Sequence, residues 1–194
     1  RRLAHAHDSV LGFVPGIAGM HDIDDYPGAT RVPGLVVYRY DAPLCFANAE
    51  DFRTRALAAV NDNPEPVEWF VLNAESNVEV DLTALDALEQ LRVELARRGI
   101  VFAMARVKQD LRESLHAAGI LDEIGEDRIF MTLPTAVEEF KRHSRSCAAG
   151  DNGRTTHFHG RGAHHLSLVP PVGTASMVND PPALSARLRR LVNP

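Results

Sequence analysis

Between residues 69 and 105 the chain reads as strand, loop, helix and strand in succession, an order that few folds accept. Trp69-Phe70-Val71-Leu72 is a short continuous apolar run, as expected of a strand buried on both faces. Asp81-Leu82-Thr83 then leads into a helix predicted over about residues 84–98. Along it Leu85, Leu88, Leu91 and Leu95 recur at three- and four-residue steps, one apolar stripe for packing on a sheet. Thr83 is the expected N-cap, with Asp86 three residues on at capping-box spacing. Arg97 and Arg98 suit the negative end of the helix dipole, and Gly99 can take the left-handed conformation that closes it. Residues 100–105 follow as a second buried strand. The Thr83 hydroxyl has two readings: a plain helix cap, or a group beside free backbone N–H donors where a phosphate would be well placed.

The same alternation extends in both directions. Residues 34–40, GLVVYRY, form a predicted strand, and Leu44-Cys45-Phe46 a second short apolar run. Asn48 is the expected cap of a helix with Glu50 and Asp51 in its first turn and Phe52, Ala56, Ala59 and Val60 along its buried stripe. Residues 61–66 break that helix. Further on come a helix over 108–118 with Leu111 and Leu115 inward, closed by Gly119, and a last strand over 128–132. A final helix over 134–143, entered at Pro134, turns Val137 and Phe140 inward. The pattern implies an α/β fold with a mixed, mostly parallel sheet, opened by a hairpin-like pair and linked by right-handed crossovers. In such sheets ligands gather at the carboxyl ends of the strands, where Asn48, Asp81, Leu82, Thr83 and Arg106 all fall.

The 194 residues, 45% of them apolar, fit one domain of ordinary size with appendages. We divide the chain into a lead-in over 1–33, a core over 34–143 and a tail over 144–194. The lead-in holds a short predicted strand at 11–14 and then a Pro- and Gly-rich loop over 15–33, as expected of a link from something upstream. The tail is rich in Ser, Gly, His and Pro and is expected to be mostly disordered, with a brief amphipathic helix over 183–192. Charge divides in the same place: residues 1–140 carry 13 basic and 24 acidic side chains, a net −11, whereas residues 141–194 carry 8 basic and 2 acidic, a net +6. An acidic body argues against nucleic acid as a partner. The basic tail could meet anionic lipid, RNA or the body itself. No run of about 18 apolar residues is present to span a membrane. Cys45 and Cys147 lie far apart and imply no disulfide framework, which fits a reducing compartment.

No catalytic constellation is visible. There is no phosphate-binding loop, dinucleotide fingerprint or nucleophile elbow. Cys45, in a strand-like run, is expected to be core. His157, His159, His164 and His165 have spacings that zinc tolerates, but no rigid set of further ligands accompanies them, and His5 and His7 are weaker still. We therefore expect a binding or regulatory module, not an enzyme, with no required cofactor and no metal.

Three segments together resemble a known family. Leu11-Gly12-Phe13-Val14-Pro15-Gly16, with Asp25-Tyr26-Pro27 and Val32-Pro33-Gly34, resembles the lead-in that follows the last membrane helix of the SulP sulfate permeases. The run from Val36 to Ala49, ending Phe46-Ala47-Asn48-Ala49, is similar to the first sheet hairpin and first helix of the permeases' C-terminal STAS domain, the sulfate transporter and anti-sigma-factor antagonist module. Val80-Asp81-Leu82-Thr83-Ala84-Leu85 resembles that module's signature loop. The resemblance covers about residues 11–140 and implies a STAS-like fold.

It also implies function. In the bacterial antagonists the loop reads roughly Asp-Ser-Ser-Gly, and a partner kinase phosphorylates its second Ser. Thr83 matches that position, whereas Leu82 departs from the first Ser and Ala84 from the Gly. Some STAS domains bind nucleotides, which implies a candidate guanine- or adenine-nucleotide site at Ala47, Asn48, Ala49, Asp81, Leu82, Thr83, Ala84 and Arg106. The expected role is a regulatory and assembly domain of a sulfate or related anion permease, on the cytoplasmic side of the cell membrane. Its expected partners are the permease's own membrane domain and cytosolic regulatory proteins. Arg1-Arg2 would mark the cytoplasmic edge of that membrane domain. The alternative is a stand-alone anti-sigma-factor antagonist controlled by phosphorylation at Thr83.

Overall fold

The structure, a computed structural model, describes residues 6–151, without the side chains of 147–151. His5, the tail histidines, most of the tail read as disordered and the helix expected over 183–192 lie outside the described residues. Six strands form one sheet: β1 (Asp8–Phe13), β2 (Met20–Asp22), β3 (Leu35–Tyr40), β4 (Trp69–Asn73), β5 (Val101–Ala105) and β6 (Ile129–Phe130), in the order β2-β1-β3-β4-β5-β6. From β3 to β6 neighbours are parallel, and β1 runs antiparallel to both β2 and β3. Helices α1 (Ala49–Asn61) and α2 (Leu82–Arg97) make the crossovers from β3 to β4 and from β4 to β5. Helices α3 (Gln109–Ala117), α4 (Ile120–Ile124) and α5 (Leu133–Asp151) complete the described chain.

Alternation along the strands separates two cores. Leu35, Val37, Trp69, Val71, Ala103 and Ala105 face one side, against Leu133, Ala136, Val137 and Phe140 of α5. On the other side Phe70 stacks on Phe102 at 6.1 Å, and Tyr38 and Tyr40 pack on Phe52 of α1. The predicted leucine stripe of α2 is buried throughout. Gly99 and Gly119 both have positive φ where they were expected to close helices. Gly34 (φ +78) is held tighter: a Cβ there would lie 3.2 Å from the Phe140 ring and 3.3 Å from the Glu68 carboxylate.

The structure corrects several elements. The first strand spans Asp8–Phe13 and not 11–14; its polar first half pairs antiparallel with β3, which an apolar pattern does not signal. The segment read wholly as loop over 15–33 contains β2, a three-residue strand whose backbone bonds to β1 define it better than its side chains do. The last strand contracts to Ile129–Phe130, while the last helix extends to Asp151. Helix α4, only five residues long and opened by Gly119, has too little periodicity to read from sequence. Cys45, expected in the core, is only half-buried in a loop.

Helix α1 is tied to the antiparallel pair β1 and β3 by a polar network. Arg55 pairs with both Asp8 and Asp51, Tyr38 donates to Asp8 at 2.9 Å, and Tyr40 donates to Asp51 at 2.9 Å. Burial, and then the adjacent carboxylate, pushes the Tyr38 phenol far above its ordinary value. Burial and Asp51 do the same to Tyr40.

Two stability outcomes follow. Leu91→Ala, at a fully buried position, is expected to cost about 2–5 kcal/mol in urea unfolding. Gly34→Ala is expected to cost at least about 1–2 kcal/mol from its left-handed backbone alone.

Candidate functional site

The loops leaving β3 and β4 lie side by side because the two strands are parallel neighbours. Leu44 forms a parallel bridge with Val80, and its N–H donates to the Glu79 carbonyl at 3.2 Å. One side chain then joins the loops. Asp81 accepts the Ala84 N–H at 2.8 Å through Oδ1 and the Phe46 N–H at 2.7 Å through Oδ2. It is the N-cap of α2, with extended backbone (φ −97, ψ 176).

This corrects the sequence reading. The helix starts at Leu82, so Thr83 lies inside its first turn and does not cap it. Asp81 places a charged acceptor at the positive end of the helix dipole and takes the Ala84 N–H, so the helix opens ahead of Thr83. Asp86, expected to complete a capping box, instead accepts from Gln90 at 2.8 Å.

Asn48 precedes α1 as expected but makes no side-chain cap bond. It is buried, accepting the Cys45 N–H and donating to the Pro43 carbonyl, each at 2.9 Å. It therefore shapes the loop from within and does not face a ligand. Asn77 does the same one loop over: fully buried, it donates to the carbonyls of Tyr40 (3.1 Å) and Ala42 (2.7 Å), while its Oδ1 has no partner. Sequence reasoning missed Asn77, because an Asn after a strand looks the same whether it turns the chain or staples a neighbour.

Of the predicted residues, Ala47, Leu82 and Thr83 are exposed, Asp81 is half-buried, and Asn48, Ala49 and Ala84 are buried. Arg106 follows β5 at the same edge with a positive φ of 58, unusual for a residue other than glycine. Its N–H donates to the Phe130 carbonyl at 2.9 Å and its guanidinium pairs with Glu75. The structure thus brings the loops of Ala47–Ala49 and Asp81–Ala84 together, with Arg106 engaged elsewhere on the edge. Among the described residues, no group of three His, Cys, Asp or Glu is placed to hold a metal ion.

A family model described as "STAS domain" matches residues 26–136. The chain belongs to the STAS domain family. Over 142 residues it is 84% identical to the "Probable sulfate transporter Rv1739c" of Mycobacterium tuberculosis (strain ATCC 25618 / H37Rv), a match covering 73% of this chain and 25% of that protein. The chain thus spans about a quarter of the length of this curated relative. Among solved structures, SLC26A9 aligns with a TM-score of 0.65 at 18% identity, covering 79% of this chain and 26% of the other. A sulfate transporter family protein from Wolinella succinogenes aligns with a TM-score of 0.54 at 21% identity, covering 64% and 99%. At these identities the two structures show the shared fold. The STAS-like α/β architecture and the likeness to the permease branch, both expected from the motifs, are borne out.

Asp81→Ala is expected to cost about 0.5–2 kcal/mol through loss of the cap. Hydrogen exchange should report it locally, as faster exchange of the Ala84 and Phe46 amides with the β5 amides unchanged.

Proposed function

We propose that this chain is the cytoplasmic regulatory and assembly domain of a SulP-type sulfate or related anion transporter, acting by docking and not by chemistry of its own. The observation that carries this reading is the 84% identity to part of a probable sulfate transporter. No helix among the described residues is long and apolar enough to cross a membrane, so on this reading the transport path lies in another part of the protein. The partners are the transporter's own membrane domain and cytosolic regulatory proteins, and the domain works on the cytoplasmic face of the cell membrane. Deleting it from the whole transporter should lower sulfate uptake by cells several-fold while the membrane part still inserts. Unchanged uptake and unchanged assembly would overturn the reading.

A second reading, nucleotide binding by the same domain, is favoured by one feature. Leu82 and Thr83 are exposed in the first turn of α2, and backbone N–H groups at a helix N-terminus suit phosphate. Against it, Asp81 already holds the Ala84 and Phe46 amides and repels an incoming anion. Backbone NMR of the labelled chain, titrated in turn with GDP, GTP, ADP and ATP, decides. Saturable shifts over residues 46–49 and 81–85, weakened in Thr83→Ala, are the expected result for a nucleotide sensor; their absence at millimolar ligand would remove it.

A further inference from the structure

Helix α1 packs on Tyr38 and Tyr40 of β3, and beside it a cleft of about 360 Å³ opens over β1. That volume lies in the range of small-molecule sites, roughly 300–1,000 Å³. Its apolar lining is Val10 of β1, Ile23 after β2, and Ala58 and Ala59 of α1, all half-buried. At one end Asp8 meets Arg55 and the Tyr38 hydroxyl, so the charges there already satisfy one another.

Three other charges on the lining do not. Arg31, ahead of β3, is half-buried, whereas Asp24, after β2, and Asp62, the C-cap of α1, are exposed. Among the described residues none of the three makes an ion pair, although their signs are opposite and they share one cleft. Each is held in place. The Arg31 Nη1 donates to the Asn63 Oδ1 at 3.0 Å, and the Asn63 Nδ2 donates to the Glu65 carbonyl at 2.8 Å. The Asp24 N–H donates to the buried Asp22 carboxylate at 3.0 Å, and the Asp62 N–H to the Ala58 carbonyl at 2.8 Å. Fixed charges lower the ordering cost of binding a ligand that complements them. A carboxylate matches the fork of an arginine, and an ammonium matches each aspartate. An alkyl stem between such groups would lie along Val10, Ile23 and the two alanines. A simple anion would meet two carboxylates against one arginine, and an uncharged ligand would leave all three charges unanswered.

We propose that this cleft binds a free dibasic amino acid of the lysine type, with its carboxylate on Arg31 and its two ammonium groups on Asp24 and Asp62. The site goes beyond the docking function proposed above and does not depend on it. L-lysine titrated into the labelled chain, followed by backbone NMR, tests it. Saturable shifts over residues 8–10, 23–24, 31 and 58–62 are expected. Cadaverine, which is lysine without its carboxylate, and L-norleucine, which lacks the second ammonium, should each bind about tenfold more weakly. Arg31→Gln, with an unchanged thermal melt, should weaken L-lysine about tenfold and leave cadaverine binding no weaker than before. Asp62→Asn should weaken both. Equal binding of L-lysine and cadaverine by the wild type would mean plain attraction of cations to an acidic surface, and overturns the proposal. Equal binding of L-norleucine overturns the dibasic class. Shifts that stay linear to tens of millimolar, or that fall outside these residues, overturn the site itself.

Discussion

The Asp81 carboxylate joins two structures that strand pairing alone would leave apart. Parallel strands end together, so the exits of β3 and β4 are neighbours, but each leaves backbone N–H groups with no partner in the ladder. One charged side chain with two acceptor oxygens serves both: Oδ1 closes the first turn of α2, and Oδ2 holds the loop that leads into α1. Asn48 and Asn77 extend the same device inward, each turning a buried amide onto loop backbone. The exposed face is therefore built on a polar scaffold, with Phe46 and Leu82 carried outward on two loops that Asp81 bonds together.

The antiparallel hairpin is joined to the parallel sheet by a different compulsion. Tyr38 is buried in the core between Phe52 and Phe70, yet its hydroxyl still requires a partner. Asp8 supplies it from β1, and Arg55 balances that carboxylate from α1. An exposed ion pair of this kind contributes little alone. Here the buried phenol makes the carboxylate necessary, and the carboxylate fixes where the chain enters. The lead-in is thus part of the sheet, and its point of entry at the carboxyl edge follows from packing.

The central elements were legible because periodicity and burial agree in them. β3, β4, β5 and α2 are long or apolar enough that a single pattern decides them, and Leu85, Leu88, Leu91 and Leu95 fell on the buried face as expected. The placement of Asn48, Asp81 to Thr83 and Arg106 at the carboxyl edge followed from that order. What could not be read was decided by backbone and not by side chains. β2 exists through its pairing with β1, and α4 through a glycine at φ +74. The cap of α2 shows a further limit: Asp81 and Thr83 are both good cap residues, and Asp81, which bonds the Ala84 amide and also the Phe46 amide of the neighbouring loop, takes the role.

The permease-like departures in the signature loop gain a physical meaning from this arrangement. In the antagonists the position of Leu82 is a serine. Here it is an exposed leucine, in a loop bonded through Asp81 to the loop that carries the exposed Phe46. Exposed apolar residues scattered singly need no explanation, but two on loops clamped together by one carboxylate form a surface. Thr83, next in the chain, is exposed in the same first turn. A phosphate on it would find the positive end of the helix dipole, but would also crowd Asp81 and charge the ground beside Leu82. Leu82 and Thr83 share that first turn, so whatever is added to the hydroxyl would stand directly beside the exposed leucine.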